Sequence, residues 1–398
     1  MNIIINCQTR TEAGRRKEWI LLELAVASSV LSQIREIESF FRPLMFALWI
    51  SVIVFCCVRQ KIRITASRFA RNYMIAFLVF CLFCAICSLK NSDYLSANYL
   101  RVFAVPLIVT IAAENSSTQD KDIDKEKLLR VVSIYCFFAL ILALWAHVSF
   151  FSSYSRWLST QVYLYSSKNS AGQIWISAVI ILLFYCNYRS NWQKIVSYAV
   201  CVYLLVMTGI AQCRTAIFAF SVALAVYALI RAKKKFAWIV FLGSFSVAVW
   251  YIPATRQFIN QALLLTKYAG TDFNTFSSGR VVLWKRAIDT FSESPIIGVG
   301  KYYVDSSYLS ILAETGIVGF IIIEFIWLTK QISCFSYHGE QKERALLFLL
   351  TIFYIVESLL EGFPPFGPGV SSFMYWLLSA YIIHANREPE HTEKEQIV

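Results

Sequence analysis

Long apolar runs recur along the whole chain, and they constrain its fold more than any other feature of the sequence. About twelve such runs, of about 14 to 21 residues, are predicted to form helices that cross a bilayer. Hydrophobic residues make up 58% of the chain and charged residues 16%, a balance that a water-soluble domain could not cover with polar surface. The runs lack the apolar and polar alternation of membrane-barrel strands. The sequence therefore predicts an all-α integral membrane protein.

The predicted spans begin at Trp19 and end at His384. They are Trp19 to Ile34, Pro43 to Val58, Tyr73 to Leu89, Tyr99 to Ala113, Val131 to Phe151, Gln173 to Asn187, Ile195 to Ile210, Ala216 to Ile230, Trp238 to Tyr251, Tyr308 to Leu328, Leu346 to Leu360 and Ser371 to His384. The first span is the weakest, because it is short and contains Glu23.

Basic residues in the gaps between spans predict the orientation in the membrane. If both termini face the cytoplasm, Lys and Arg are concentrated in the cytoplasmic gaps, as the positive-inside rule requires. The formal net charge of +12 is therefore interpreted as a signal of membrane orientation. No basic helix or aromatic motif typical of nucleic-acid binding accompanies it, so no nucleic-acid partner is expected.

One external segment, Ile252 to Val304, is much longer than the other gaps. A loop of this length is usually functional or disordered, and this one is too apolar and aromatic for disorder. Its basic residues are Arg256, Lys267, Arg280, Lys285, Arg286 and Lys301. Either long loops escape the charge rule, or this loop forms an external anion site. The loop (252–304) belongs to a predicted central core, 152–329, between N-terminal spans, 1–151, and C-terminal spans with a tail, 330–398.

Part of the long loop has the pattern of an amphipathic helix. Its apolar residues recur at helical spacing and are Val281, Trp284, Ile288 and Phe291. Lys285 and Arg286 lie on the opposite, polar side, as expected of a helix lying in the membrane interface.

Arg280 is expected in the first turn of this helix, with Ser277 or Ser278 as the N-cap. A surface arginine beside a turn is the simpler interpretation. The functional alternative is that Arg280 and the free N–H groups of the helix start together hold a phosphate.

Arg214 lies in a very short external gap between two apolar spans. Its guanidinium group either reaches lipid phosphate or points into the protein as a functional charge. Two arginines on the same external side could bind a diphosphate bidentately, a geometry that lysine cannot reproduce.

Two acidic residues near the next span are further candidates. Asp305 is expected either to cap the helix that follows it or to accept a proton from an attacking hydroxyl group. Glu314 lies deeper, and an ionisable residue inside a membrane span is a functional candidate by default.

These residues and their order carry a resemblance to a known family. The segment from Asn169 to Phe320 resembles the O-antigen polymerase and O-antigen ligase family. The motifs that carry the resemblance are Lys168-Asn169-Ser170, Arg214 at a tight turn, Ser278-Gly279-Arg280 with Trp284, Pro295 with Gly298-Val299-Gly300, Tyr308-Leu309 and Glu314-Thr315-Gly316-Ile317-Val318-Gly319.

The resemblance implies a metal-independent glycosyltransferase without a cofactor, which acts on undecaprenyl-diphosphate-linked glycans. The site would lie at the periplasmic face of the bacterial inner membrane, surrounded by membrane lipids. A chain-length regulator and a flippase of the same pathway are the implied partners. The matching arginines, Arg214 and Arg280, would hold the diphosphate of the donor. With the two acidic candidates, the predicted catalytic residues are Arg214, Arg280, Asp305 and Glu314, and the predicted substrate-binding residues are Lys285, Arg286, Lys301 and Tyr308.

The sequence favours the polymerase branch of this family. Ligases, which transfer the glycan to lipid A-core, typically have a His-Asn pair where this chain has Asp305-Ser306-Ser307. The ligase remains the close alternative. A multispan transporter of lipid-linked glycans is a second alternative, but the internal repeats and broken spans typical of transporters are missing from the sequence pattern.

Overall fold

The computed structural model describes residues 12–59, 67–117, 121–152, 168–186, 190–230, 240, 243–244, 251–263, 265, 269–366 and 372–385. Regular secondary structure in these residues is helical, and they contain no strand. The all-α prediction is therefore confirmed.

The helices are numbered here in chain order. They are α1 (Glu12–Leu31), α2 (Glu38–Arg59), α3 (Arg68–Ser88), α4 (Asn98–Val102), α5 (Ala104–Ser116), α6 (Lys121–Ser152), α7 (Lys168–Phe184), α8 (Asn191–Ile210), α9 (Arg214–Ile230), α10 (Pro253–Ala262), α11 (Phe273–Phe276), α12 (Arg280–Glu293), α13 (Ser307–Phe335), α14 (Gln341–Leu360) and α15 (Phe373–Ala385). A short 3-10 helix, Ser92–Ser96, lies between α3 and α4.

The predicted membrane spans fall on these helices, apart from the span 238–251, most of which lies outside the described residues. Among the described residues, five helical stretches are long and apolar enough to cross a membrane: Glu38–Cys56, Arg68–Ser88, Ile123–Ser149, Asn191–Ile210 and Ser307–Phe335. Shorter apolar helices include Trp19–Leu31, Lys168–Phe184, Arg214–Ile230 and Phe373–Ala385. The total of about twelve spans stays a prediction, as does the periplasmic position of the long loop.

Two helices are buried around almost their whole circumference. Every residue of α7 from Ala171 to Leu182 is buried, and so is every residue of α15 from Phe373 to Ile382. Helices that are apolar on all sides belong to the centre of a bundle. Helix α14 packs against α7, α9, α13 and α15, so its C-terminal end lies among the central helices.

An aromatic cluster holds the segment that follows α14. The Trp376 ring packs against Tyr73, Trp327 and Phe366, with centroids 5.8 to 6.3 Å apart. The Trp376 indole N–H also donates a hydrogen bond to the Pro365 carbonyl at 2.8 Å. These contacts fix the chain just beyond Glu361.

Helix α13 breaks at Gly316, whose backbone angles of φ 64° and ψ −168° are not helical. The segment before α13 runs along the break and bonds to it: the Ile317 N–H donates to the Pro295 carbonyl at 2.9 Å, and the Gly300 N–H donates to the Glu314 carbonyl at 3.0 Å. Non-helical backbone at membrane depth must find partners within the protein, because lipid offers none. Backbone groups on both sides of the break therefore find partners in the segment 295–300.

Candidate active site

Arg214 begins α9, directly after a tight turn that ends α8. Gln212 in this turn has φ 52°, a conformation that residues with a Cβ rarely adopt. The Arg214 guanidinium group contacts the protein: Nη1 donates to the Phe276 carbonyl at 2.9 Å and Nη2 donates to Ser278 Oγ at 2.6 Å. Arg214 thus holds the turn that leads into α12.

The start of α7 packs against the same turn. Burial raises the pKa of the Cys213 thiol to about 12, so the thiol keeps its proton and donates to the Lys168 carbonyl at 3.1 Å. A Cβ added to Gly172 would lie 2.7 Å from the Cys213 Cβ, so only glycine allows this approach. The packing places Asn169, the second residue of α7, beside the Arg214 turn.

Arg280 is the first residue of α12, as predicted, but neither serine is the N-cap. Gly279 occupies the N-cap position with φ 83°, a left-handed conformation that suits glycine. The Ser277 and Ser278 hydroxyl groups instead donate to the Asn274 carbonyl and accept from Arg214. The predicted N-cap was wrong because the serines serve the turn and a tertiary contact.

The Arg280 side chain is directed at two carboxylates. Its Nη2 lies 2.8 Å from Glu361 Oε1 and 3.7 Å from Asp305 Oδ2, and the side chain is 15% exposed. Glu361 Oε1 also accepts a hydrogen bond from Asn169 Nδ2 at 2.9 Å. Arg280 therefore joins three separate parts of the chain at one point.

Asp305 does not cap α13. The N-cap is Ser306, and Asp305 Oδ1 accepts a hydrogen bond from the Tyr303 hydroxyl at 3.0 Å. The Asp305 carbonyl accepts from the Trp284 indole N–H at 2.9 Å, which ties α12 to this segment. With its side chain 36% exposed, Asp305 is the more accessible of the two carboxylates around Arg280.

Contacts through these residues form a closed ring, here called the arginine ring. It runs from Arg214 through Ser278 to Arg280, then through Glu361 to Asn169, and back through the Lys168 carbonyl and Cys213 to Arg214. Two guanidinium groups thus flank one short turn, and a guanidinium group carries five N–H donors in a fixed fork. Such an arrangement can bind an anion with several oxygens.

Glu361 and its neighbour Glu357 were missed as site residues by the sequence analysis. Glu357 lies one helical turn before Glu361, is fully buried, and accepts a hydrogen bond from Gln173 Nε2 at 2.8 Å. The available signal was an acidic residue within an apolar run, the same signal that singled out Glu314. Glu361 lies four residues after Glu357, which places both side chains on the same side of the C-terminal end of α14.

Glu314 is completely buried and holds three segments together. Its carboxylate accepts hydrogen bonds from Asn98 Nδ2 at 3.0 Å, the Tyr99 N–H at 2.9 Å and the Tyr302 N–H at 3.2 Å. The Tyr99 hydroxyl continues the network to Ser307 and to the Gly362 carbonyl. Glu314 thus contacts the scaffold of the site, and its contacts do not include Arg280.

The predicted substrate-binding residues lie on two helices and on the segment before α13, and none of them belongs to the arginine ring. Lys285 and Arg286 are exposed on α12, and Lys301 is exposed in the segment before α13. Their side chains make no hydrogen bond or ion pair with the residues that the structure describes. Tyr308 is half-buried on α13, and its hydroxyl accepts from the Trp327 indole N–H at 3.3 Å.

Comparison with protein-family models matches residues 199–323 to the family described as O-Antigen ligase. The match runs from α8 into α13 and includes Arg214, Arg280, Asp305 and Glu314, whereas Glu361 lies outside it. A search of curated proteins gave no match. The family is a class of membrane enzymes of the glycosyltransferase kind. The resemblance to the O-antigen polymerase and ligase family is therefore confirmed, on the basis of residues 199–323.

Proposed function

We propose that this protein is an O-antigen polymerase. It joins undecaprenyl-diphosphate-linked oligosaccharide repeat units at the periplasmic face of the bacterial inner membrane. The observation that carries the proposal is the arginine ring, in which Arg214 and Arg280 flank the turn at residues 276–279. A pair of guanidinium groups at the end of membrane helices suits the diphosphate of a lipid-linked donor.

The chemistry needs stabilisation of a leaving group. Negative charge grows on the diphosphate as the bond to the anomeric carbon breaks, and fixed positive charge in a partly dry site stabilises that charge most. Arg280, 15% exposed, meets this condition. Lys285, Arg286 and Lys301 attract the anionic headgroup from outside the ring. Asp305 is a candidate proton acceptor for the incoming hydroxyl group.

The choice of polymerase depends on the segment before α13. The residues there are Asp305, Ser306 and Ser307, and the segment has no histidine to match the ligase pattern. The ligase is the second candidate, and the match to the family described as O-Antigen ligase is compatible with either function. Both candidates use the same donor and differ in the acceptor, which is a lipid-linked glycan for the polymerase and lipid A-core for the ligase.

Surface glycan from a deletion strain separates these functions. We expect the strain to carry lipid A-core with a single repeat unit, because a separate ligase still transfers the unpolymerised donor. Complete absence of repeat units on core would instead identify the ligase. Unchanged long chains would contradict both candidates. The chain-length regulator and flippase proposed as partners remain in the strain, so the defect is specific to this protein.

A further inference from the structure

Glu357 and Glu361 form a buried pair of carboxyl groups, here called the carboxyl pair. They lie four residues apart and are 0% and 7% exposed. Glu357 Oε1 is buried and has no hydrogen-bond partner in the described part of the chain. Glu361 receives Arg280 and Asn169 on the same oxygen, Oε1, which leaves Oε2 without a hydrogen bond to the described residues.

The single positive charge of Arg280 cannot compensate all of the carboxyl groups around it. Arg280 faces Glu361 at 2.8 Å and Asp305 at 3.7 Å, while Glu357 lies behind Glu361 and is bound by the neutral amide of Gln173. Two neighbouring buried carboxyl groups resist ionising together, because each disfavours the charge on the other. Glu361 therefore depends on the guanidinium group of Arg280 to carry a negative charge.

Binding of a diphosphate changes this dependence. If Arg280 turns its N–H donors toward the diphosphate, Glu361 loses part of its compensating positive charge and becomes more basic. Its free Oε2 is then the strongest proton acceptor beside the site. The loss of compensation increases as the leaving group gains charge, which is also when the attacking hydroxyl group releases its proton.

We infer that Glu361 accepts the proton of the acceptor hydroxyl group and that Arg280 activates it by shifting its contact to the departing diphosphate. The acceptor oxygen forms a bond to the anomeric carbon, and the bond from that carbon to the diphosphate oxygen breaks with its electron pair passing to the diphosphate. The hydroxyl proton passes to Glu361 Oε2 and later to solvent. This inference rests on the proposed glycosyl transfer.

Asp305 is the competing proton acceptor, and the structure distinguishes the two. Asp305 is 36% exposed, and its Oδ1 already accepts the Tyr303 hydroxyl, whereas Glu361 is buried and its Oε2 is not used by Arg280 or Asn169. Burial raises the pKa of Glu361, although Arg280 opposes this effect. A base with a raised pKa accepts a proton more readily near neutral pH.

The charged and titratable groups that face Glu361 all influence the pH dependence of the reaction. These groups are Arg280 from α12, Asp305 and Tyr303 from the segment before α13, Cys213 from the turn before α9 and Glu357 on α14. Lys168, at the start of α7, acts on Cys213. Since Glu361 must be ionised to act, the rate falls as the pH is lowered through its pKa. Burial moves this loss of rate from the acidic range toward neutral pH.

The first test replaces Glu361 by glutamine, which keeps an oxygen to accept from Arg280 and Asn169 but cannot take the proton. The assay uses purified protein in lipid nanodiscs and lipid-linked repeat units extracted from the deletion strain. We expect E361Q to lower turnover by about a hundredfold or more. In this variant the remaining rate should no longer fall as the pH is lowered. Asp305→Asn should keep the fall in rate at low pH. Asp289→Asn, which replaces an exposed carboxylate on α12, should match wild type.

Binding of farnesyl diphosphate, measured on the same preparations, separates this inference from the proposed function. E361Q should bind it at least as tightly as wild type, because Arg280 is released from a competing carboxylate. If E361Q binds farnesyl diphosphate and keeps near-normal turnover, this result would overturn the proton-acceptor role of Glu361 but not the proposed function. Absence of farnesyl diphosphate binding in wild type would overturn the proposed function and this inference with it.

Rescue by a small acid distinguishes a chemical role from a structural one. Glu361→Ala leaves space for formate, and we expect added formate to restore turnover by about tenfold or more while leaving Asp305→Asn unaffected. The inference would be overturned if Asp305→Asn, and not E361Q, abolished the fall in rate at low pH. It would also be overturned if formate failed to restore turnover in a folded Glu361→Ala protein.

Discussion

At the scale of single residues, the candidate site contains two arginines that make different contacts. Arg280 is held by Glu361 and Asp305, whereas Arg214 contacts the Phe276 carbonyl and the Ser278 hydroxyl group. Arg280 therefore carries the charge that can move between partners. Arg214 supports the turn and adds positive charge to it.

We expect Arg214→Ala and Arg280→Ala each to reduce polymer formation by about a hundredfold, the size typical of losing one preorganised charge-stabilising donor. Arg280→Lys should recover little of this loss, because a lysine ammonium group lacks the planar fork. Arg256→Ala, in the same loop, is the matched control. Polymer length and amount on a surface-glycan gel provide the measurement, with expression checked by immunoblot. Wild-type chains from both variants would contradict the catalytic role.

At the scale of elements, the break in α13 determines where the site segment lies. Gly298 and Gly316 have φ of 79° and 64°, and each lies against the backbone of the other's segment. A Cβ on Gly298 would be 2.4 Å from the Glu314 carbonyl oxygen, and one on Gly316 would be 2.4 Å from the Ile296 carbonyl oxygen. The two glycines permit the contact that carries Asp305 to Arg280.

Gly298→Ala and Gly316→Ala should both destabilise the protein, through the positive φ and through the steric clash. Gly270→Ala is the matched control, because its φ is 75° but a Cβ there would meet no atom within 4 Å. Gly270→Ala should lower the free energy of unfolding only through the strained positive φ, by on the order of 1 to 3 kcal/mol. Thermal unfolding in detergent, followed by light scattering, measures the difference. Equal melting temperatures for all three variants would show that the close approach adds nothing.

At the scale of the whole molecule, α13 is long and apolar enough to connect the two sides of a membrane. As an uninterrupted helix, its 29 residues would measure about 43 Å, and the part that follows the break at Gly316 alone measures about 28 Å, against a hydrocarbon core of about 30 Å. Lys301 before α13 and Gln341 after it are both exposed and should lie on opposite sides.

This predicts the labelling of single introduced cysteines by a membrane-impermeant maleimide. In intact spheroplasts we expect Lys301→Cys to react and Gln341→Cys to react only after lysis. The wild-type protein is the background control for its own cysteines. Reaction at Gln341→Cys in sealed cells would reverse the proposed orientation and place the arginine ring on the cytoplasmic side.

Local patterns in the sequence predicted the parts of this protein that need no partner. The apolar runs predicted the helices, because a membrane span must satisfy its backbone hydrogen bonds within itself. The spacing of Val281, Trp284, Ile288 and Phe291 predicted α12, and Arg280 lies in its first turn as expected. The arginines were found because a cation at a membrane boundary needs a specific reason.

Only the tertiary structure decided which distant residues meet. Glu361 reaches Arg280 across 81 positions, and Asn169 reaches Glu361 across 192, so neither contact leaves a local pattern. The same applies to Glu314, whose buried charge marked it as catalytic although its hydrogen bonds go to the scaffold. Sequence periodicity determines which face of a helix is apolar, but the carboxylate that balances a given arginine depends on how the buried helices α7 and α14 pack together.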